Sequence, residues 1–223
     1  MLCMDVFSFR RNSRRPMRFF IFTISIVLLT LLLTYRSAAS NKSVIVVAAN
    51  GYEEIELVTV VDILRRAGAI VHIASLKEAH RIVAGSQHVK IRADRILLPD
   101  EFVYNAIVLP GGWAGSHNMA VSAKLGKLLK HYEIKGKYIG AICAAPLALK
   151  AHKIFSGKNL TSYPHVKAEL QTDYNYLDKS VVVDGNLITS RGPGTAAEFA
   201  FTLVELLFGE KVAQDLKRGM LFE

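Results

Sequence analysis

The sequence predicts an α/β domain with a mostly parallel sheet, preceded by a separate N-terminal leader. After residue 42, short apolar runs alternate with helical patterns, which is typical of this fold class. The apolar runs are continuous, as expected of strands that are buried on both faces of a sheet. With 51% hydrophobic residues, the chain can bury a sizeable core and is not disordered overall. We place the domain boundary near Lys42, with the leader over residues 1–42 and the α/β domain over residues 43–223.

The leader is strongly basic and carries a long apolar run. Residues 1–42 hold seven basic residues and one acidic residue, a net charge of +6, which leaves +3 of the chain's +9 for the remainder. A surface with +3 is ordinary, so specific nucleic-acid binding is not expected. Seventeen uncharged residues, 19–35, follow the arginines and are typical of a signal anchor or signal peptide. The segment from Ser37 to Ala39 resembles a cleavage site.

We therefore expect membrane association through residues 19–35, in a membrane or in the secretory pathway. The arginines before this run would place residues 43–223 across the membrane from the cytoplasm. A mitochondrial presequence would also be rich in arginine and poor in acids, but it would be amphipathic, which this run is not. Mitochondrial or cytoplasmic localisation is thus the alternative. A buried core helix is disfavoured because it would carry a polar face.

Strands and helices alternate along the domain. Continuous apolar runs predict buried strands at 43–49, 70–76, 105–110 and 137–142, with a strand-like segment at 159–163. Apolar residues at helical spacing predict helices at 54–66, 116–133, 144–152 and 195–208. Gly68 is a favourable residue for ending the first helix. A small hairpin or two edge strands are predicted at 81–93. A hairpin is predicted at 181–190, around Asp184 and Gly185, which form a strong turn signal.

Cys143 is the strongest candidate for chemistry. It lies between a predicted strand and a predicted helix, among small residues that leave room for a sharp turn. Such a turn would point the side chain over the carboxyl ends of the strands, where open α/β sheets bind ligands. We expect the following helix to direct its N-terminal N–H groups at the sulfur and to lower the pKa of the thiol. A small buried hydrophobic role is an equally good interpretation of the local sequence.

Two further features lie at the same predicted edge. The first strand is followed by three acidic residues, Glu53, Glu54 and Glu56. The helix dipole alone explains acidic residues in a first helical turn, but one of these carboxyl groups could meet the thiol. Pro110-Gly111-Gly112 ends the 105–110 strand, and glycines let backbone N–H groups approach a developing oxyanion.

Other kinds of site are disfavoured by the sequence. With two cysteines, Cys3 and Cys143, the chain is not a disulfide scaffold or a multi-cysteine zinc protein. None of the seven histidines has metal-ligand spacing, although His165 could reach the sheet edge. Neither a dinucleotide-binding nor a phosphate-binding glycine loop is present.

Four motifs together carry a family resemblance. They are Gly51-Tyr-Glu-Glu-Ile-Glu56, Leu109-Pro-Gly-Gly112, Ala141-Ile-Cys-Ala-Ala-Pro146 and Thr189-Ser-Arg-Gly-Pro-Gly-Thr195. In this order and spacing, residues 43–223 resemble the ThiJ/PfpI superfamily, in particular the branch of the Parkinson-disease protein deglycase. The resemblance implies a flavodoxin-like three-layer sandwich, of the class I glutamine amidotransferase-like type, and a homodimer.

The resemblance also implies a site. Cys143 matches the nucleophile and oxidation-sensing thiol, and Glu56 matches the protonated carboxyl partner. Gly111, Gly112 and Ala144 match the oxyanion-binding backbone. The implied activity needs no cofactor: it is that of a glyoxalase-type lyase or a deglycase (hydrolase), acting on methylglyoxal and on glycated proteins. The alternative is a non-enzymatic redox sensor or chaperone that uses oxidation of the same cysteine.

The sequence departs from the family pattern at three places. Many members have histidine where Tyr163 stands, so Tyr163 and His165 are both candidate proton donors. The peptidase-like branches have histidine directly after the cysteine, and Ala144 in that place argues against peptidase activity. The segment before Asn105 is several residues shorter than the resemblance implies, which could alter the hairpin at the dimer edge.

Overall fold

A computed structural model of the chain describes residues 42–77 and 79–222. Within them the strands are β1 (Ser43–Ala48), β2 (Ile70–Ser75), β3 (Ile82–Ala84), β4 (Lys90–Arg92), β5 (Arg95–Ile96), β6 (Ala106–Leu109), β7 (Tyr138–Ile142), β8 (Asn159–Leu160), β9 (Asn175–Tyr176), β10 (Val181–Asp184) and β11 (Leu187–Ser190). The α-helices are α1 (Glu54–Arg66), α2 (Trp113–Ala120), α3 (Ala123–Ile134), α4 (Pro146–Ala151), α5 (Lys167–Leu170), α6 (Ala196–Phe208) and α7 (Glu210–Gly219).

Seven of these strands form one sheet in the order β10–β11–β7–β6–β1–β2–β5. Every neighbouring pair is parallel except β10 and β11, which form an antiparallel hairpin at one edge. All four residues of β6 are buried, so the centre of the sheet is covered on both faces. The helices pack on these faces, with α1 against α6 and α3 against β6 and β7. The predicted α/β class with a mostly parallel sheet is confirmed.

The strand order has a switch point between β1 and β6. From β1 the chain moves outward to β2 and β5, then returns to the other side of β1 to build β6 and β7. Loops that leave the carboxyl ends of β1 and β6 therefore diverge, and a crevice opens where they separate. Open α/β sheets bind ligands at such a crevice. The candidate site lies there.

Several element boundaries differ from the sequence prediction. The helix predicted over 116–133 is two helices, because the chain turns at Val121 and the Ser122 side chain accepts a hydrogen bond from Leu125 N at 3.3 Å, which caps α3. The strand predicted over 159–163 is only the short β8, paired with β9 outside the main sheet. The helix α7 was not predicted; Gly209, at φ +94°, separates it from α6.

The prediction of a membrane segment needs correction. Across residues 42–77 and 79–222, every helix is too short or too polar to cross a bilayer. Residues 19–35, on which the signal-anchor and membrane assignments depended, lie outside the described residues. The assignments to a membrane and to the secretory pathway are therefore withdrawn.

Candidate active site

The site is built at the carboxyl ends of four adjacent strands. Glu56 follows β1, Gly111 and Gly112 follow β6, Cys143 follows β7, and Gly192 follows β11. Parallel strands bring all four loops to the same edge of the sheet. The sequence prediction placed Glu56, Cys143 and the glycines after β6 at this edge, and they do lie together. It gave no role to Gly192, although Gly192 belongs to one of the quoted motifs.

Cys143 stands on a sharp turn between β7 and α4. Its backbone is left-handed, with φ +64°, which is uncommon for a residue that carries a side chain. Two backbone hydrogen bonds fix this conformation: Cys143 N donates to Ser190 O at 2.9 Å, and Cys143 O accepts from Tyr163 N at 2.8 Å. The side chain is 9% exposed, so the thiol is almost buried but still reaches the surface of the crevice. Such strained positions cluster at functional sites.

The three glutamates after β1 have three different roles. Glu53 caps α1, because its carboxylate accepts a hydrogen bond from Glu56 N at 2.8 Å. Glu54 lies against the β3–β4 hairpin and accepts hydrogen bonds from Ser86 Oγ at 3.0 Å and Gln87 N at 2.7 Å. Only Glu56 is fully buried, and its carboxyl group lies beside the Cys143 thiol.

Replacing Glu54 tests this division of roles. We expect Glu54→Ala to loosen the hairpin tip and to speed amide hydrogen exchange at Gln87 and Val89 roughly tenfold, since a hydrogen bond to a carboxylate contributes about 1.5 kcal/mol. Glu53→Ala is the control, because it removes a helix cap and leaves those two amides bound. Equal exchange at Gln87 and Val89 in the wild type and in Glu54→Ala would show that Glu54 does not anchor the hairpin.

The glycines after β6 leave the space that the Cys143 and Glu56 side chains need. A Cβ on Gly111 would lie 2.5 Å from Cys143 Cβ and 2.7 Å from Glu56 Oε2, so a larger residue cannot stand there. Gly111 N donates a hydrogen bond of 2.7 Å to Glu56 Oε2, which fixes the carboxyl group. The Gly111 N–H group is therefore engaged by Glu56, whereas the N–H groups of Gly112 and Ala144 are directed at the sulfur.

Gly192 and Tyr163 close the other side of the crevice. A Cβ on Gly192 would lie 3.5 Å from Tyr163 Cδ2, 3.9 Å from Glu56 Oε1 and 4.0 Å from Cys143 Sγ. Glu56 Oε1 is buried and has no hydrogen bond of good geometry to any described residue. Tyr163 is 41% exposed, and exposed His165 packs edge-on against its ring with centroids 5.2 Å apart. Tyr163 thus borders the thiol, and His165 contacts Tyr163.

The thiol and the carboxyl group are electrostatically coupled. Burial raises the pKa of Glu56 to about 7. Burial and then the neighbouring Glu56 carboxylate raise the pKa of the Cys143 thiol to about 12, against the lowering effect of the Gly112 and Ala144 N–H groups. The predicted net lowering of this pKa is therefore wrong: the Ala144 N–H group does lower the pKa, but burial and Glu56 outweigh it. A thiolate therefore forms most readily while Glu56 holds a proton.

The raised pKa of Glu56 predicts how stability depends on pH. Between about pH 4.5 and 7 the folded protein holds a proton on Glu56 that the unfolded chain has lost. This contribution to the free energy of unfolding is therefore complete below pH 4.5 and is lost as the pH rises to about 7. We expect Glu56→Gln to flatten this fall, as measured by urea unfolding, with exposed Glu205→Gln as the control. If the free energy of unfolding changed equally with pH in the wild type and in Glu56→Gln, the raised pKa of Glu56 would be contradicted.

Comparisons with known proteins identify the class of domain. The family model of the DJ-1/PfpI family matches residues 42–206. Protein dj-1beta of Drosophila melanogaster is 45% identical over 189 residues, which cover 81% of this chain and 97% of the relative. Glutathione-independent glyoxalase DJR-1.2 of Caenorhabditis elegans is 34% identical over 184 residues, 82% of this chain and 97% of the relative. The crystal structure of Drosophila melanogaster DJ-1beta superposes with a TM-score of 0.79 at 46% identity, covering 81% of this chain and 98% of that one.

The fold and the site together define a class of protein: a flavodoxin-like α/β domain with a thiol and a buried carboxyl group at the edge of its sheet. The chain belongs to the DJ-1/PfpI family. The predicted family and flavodoxin-like fold are therefore confirmed, and relatives in this family include a glyoxalase. The homodimer and the domain boundary near Lys42 stay predictions.

Proposed function

We propose that the chain is a glyoxalase and deglycase that acts without a cofactor, with Cys143 as the nucleophile and Glu56 as its acid–base partner. The observation that carries the proposal is the buried Glu56 carboxyl group beside the Cys143 thiol, in a crevice where two backbone N–H groups face the sulfur. The relative named as a glutathione-independent glyoxalase supports the same reaction class.

The proposed reaction needs no external oxidant or reductant. The Cys143 thiolate adds to the aldehyde carbon of methylglyoxal, and the oxygen takes up a proton to give a hemithioacetal. Glu56 removes the proton from that carbon and returns it to the neighbouring carbon, so that one carbon is oxidised while the ketone is reduced. The product is a lactoyl thioester on Cys143, and water cleaves it to lactate and free thiol. With an adduct as substrate, the same proton transfer gives a lactoyl group on the substrate amine or thiol; Cys143 attacks the acyl carbon, the bond to the amine or thiol breaks to release it, and water cleaves the lactoyl thioester.

Each part of the site has a role in this proposal. The Gly111 N–H group holds Glu56 in place, with a hydrogen bond of 2.7 Å to Oε2. The N–H groups of Gly112 and Ala144 stabilise negative charge on the sulfur or on the substrate oxygen. The half-exposed Tyr163 hydroxyl donates a proton to that oxygen, and His165 positions the Tyr163 ring.

The test is lactate formation from methylglyoxal by the purified full chain in the absence of glutathione. We expect lactate to appear in proportion to protein concentration and to be abolished when Cys143 is alkylated beforehand. Lactate formation no faster than with the alkylated protein would reject the glyoxalase function.

A redox-sensing role is the second candidate. The observation that favours it is the buried Glu56 Oε1, which faces Cys143 and, once protonated, donates a hydrogen bond to an oxidised sulfur. In this role Cys143 is oxidised to sulfinic acid under oxidative stress. Peptide mass spectrometry after limited peroxide treatment should find Cys143 oxidised first, and prior oxidation of Cys3 or of a methionine would reject this role.

A further inference from the structure

Trp113 is an exposed aromatic residue next to the active-site loop that follows β6. It is the only tryptophan of the chain and is 71% exposed, an unusual state for so large an apolar side chain. It is the first residue of α2 and directly follows Gly112, whose N–H group faces the Cys143 sulfur. Exposed tryptophans in clefts are common anchors for ligands and partners.

Trp113 forms one wall of a groove between α2 and α4. The groove has a volume of about 320 Å³, and its lining includes Trp113, His117, Leu147, Lys150 and Glu169. Both helices begin at the active site, because α2 follows Gly112 and α4 starts three residues after Cys143. The groove therefore extends along the two helices away from the crevice, and Trp113, which directly follows Gly112, is its lining residue at the crevice end of α2. A substrate larger than methylglyoxal would reach it.

The charges along the groove favour a cation. The Lys150 ammonium group is already paired, since its Nζ lies 2.9 Å from Asp173 Oδ2 and donates a hydrogen bond of 2.6 Å to the Glu169 carbonyl oxygen. The exposed Glu169 carboxylate forms no ion pair within residues 42–77 and 79–222. An unpaired carboxylate and the face of an indole ring both attract a guanidinium group. The apolar residues between them suit its aliphatic stem.

We propose that this groove binds an arginine side chain of a peptide substrate, close to the modified residue that reacts with Cys143. The inference rests on the proposed deglycase function and specifies its substrates as peptides and proteins with an arginine beside the adduct. Trp113 and Glu169 are specificity-determining residues in this proposal, and neither takes part in the chemical steps.

Binding of a stable substrate analogue tests the groove without requiring turnover. The probe is a short peptide with S-(2-hydroxypropyl)cysteine, a thioether analogue of the methylglyoxal hemithioacetal, and with arginine or glutamine two residues away. With the full chain, we expect the arginine peptide to bind about fivefold more tightly, the effect of a cation–π contact of about 1 kcal/mol. Because Trp113 is the only tryptophan, its fluorescence should change on binding.

Substitutions of groove residues test whether the preference for the arginine peptide arises in the groove. Calorimetry should show a reduced arginine preference in Trp113→Ala and in Glu169→Gln and equal binding of the two peptides in the double variant, while Trp113→Phe and Glu169→Asp keep more of the preference. Val103→Ala, at an exposed position outside the groove lining, is the matched control and should keep all of it. Equal affinity of the wild type for both peptides, or a full preference in Trp113→Ala and Glu169→Gln, would overturn the inference. An arginine preference without lactate formation would instead reject only the proposed glyoxalase function.

Discussion

Cys143→Ser should lower lactate formation from methylglyoxal by at least about a thousandfold, the scale at which loss of a nucleophile acts on covalent catalysis. A serine hydroxyl without a neighbouring strong base is a poor nucleophile, whereas the thiolate is a good one. The substitution keeps the shape of the side chain and the two backbone hydrogen bonds that fix the turn, so the fold should persist. Steady-state kinetics together with a thermal melting curve measure both effects.

Cys3→Ser is the matched control for this variant, since Cys3 is the other cysteine of the chain and lies in the predicted leader. It should turn over methylglyoxal at the wild-type rate. Retention of more than a small fraction of activity in Cys143→Ser, with a normal melting curve, would remove Cys143 from the mechanism.

Gly112→Ala should destabilise the folded protein by about 2–4 kcal/mol. Gly112 has φ +85°, and a Cβ there would lie 2.1 Å from the Gly51 carbonyl oxygen and 2.8 Å from Glu53 N. Both contacts are with backbone atoms that cannot move aside without shifting the loops that hold the site. Activity should fall as well, because the Gly112 N–H group faces the Cys143 sulfur.

The loss of stability in Gly112→Ala has two causes, the left-handed backbone and the close approach of the new Cβ to backbone atoms. Gly68→Ala separates them. Gly68 has a similar φ of +90°, but nothing lies within 4 Å of a Cβ placed on it. It should therefore cost only the left-handed strain of alanine, about 1 kcal/mol. Urea unfolding of both variants gives the comparison, and equal free energies of unfolding would show that the close approach at Gly112 adds nothing.

Local patterns in the sequence were enough to predict most of the strands and helices. The continuous apolar runs of β1, β2, β6 and β7 need a sheet covered on both faces, and such runs are visible in any single sequence. The break between α2 and α3 was missed because apolar residues keep helical spacing across it, and the capping of α3 by Ser122 outweighs that pattern. The weakly apolar α7 was missed because few of its residues are buried.

The site was only partly accessible from the sequence. Strand ends and glycines located the edge, but three glutamates within four residues could not be told apart by spacing. Their roles depend on partners distant in sequence: Glu54 binds the hairpin at Gln87, and Glu56 binds Gly111. The direction of the pKa shift of Cys143 was also inaccessible, because burial and the Glu56 charge arise only when β1 and β7 are brought together by the sheet.

In the proposed mechanism Cys143 and Glu56 share a proton, so that a reactive thiolate forms while Glu56 is protonated. The most direct test is the rate of Cys143 alkylation by iodoacetamide from pH 5 to 10 in the wild type and in Glu56→Gln. We expect the wild-type rate to rise in a first step near pH 7, where the pair loses its first proton, and again at higher pH as the thiol pKa of about 12 is approached. Glu56→Gln keeps a donor beside the sulfur but cannot ionise, so its profile should lack the step near pH 7. Coincident profiles, or a wild-type profile without that step, would contradict the shared proton.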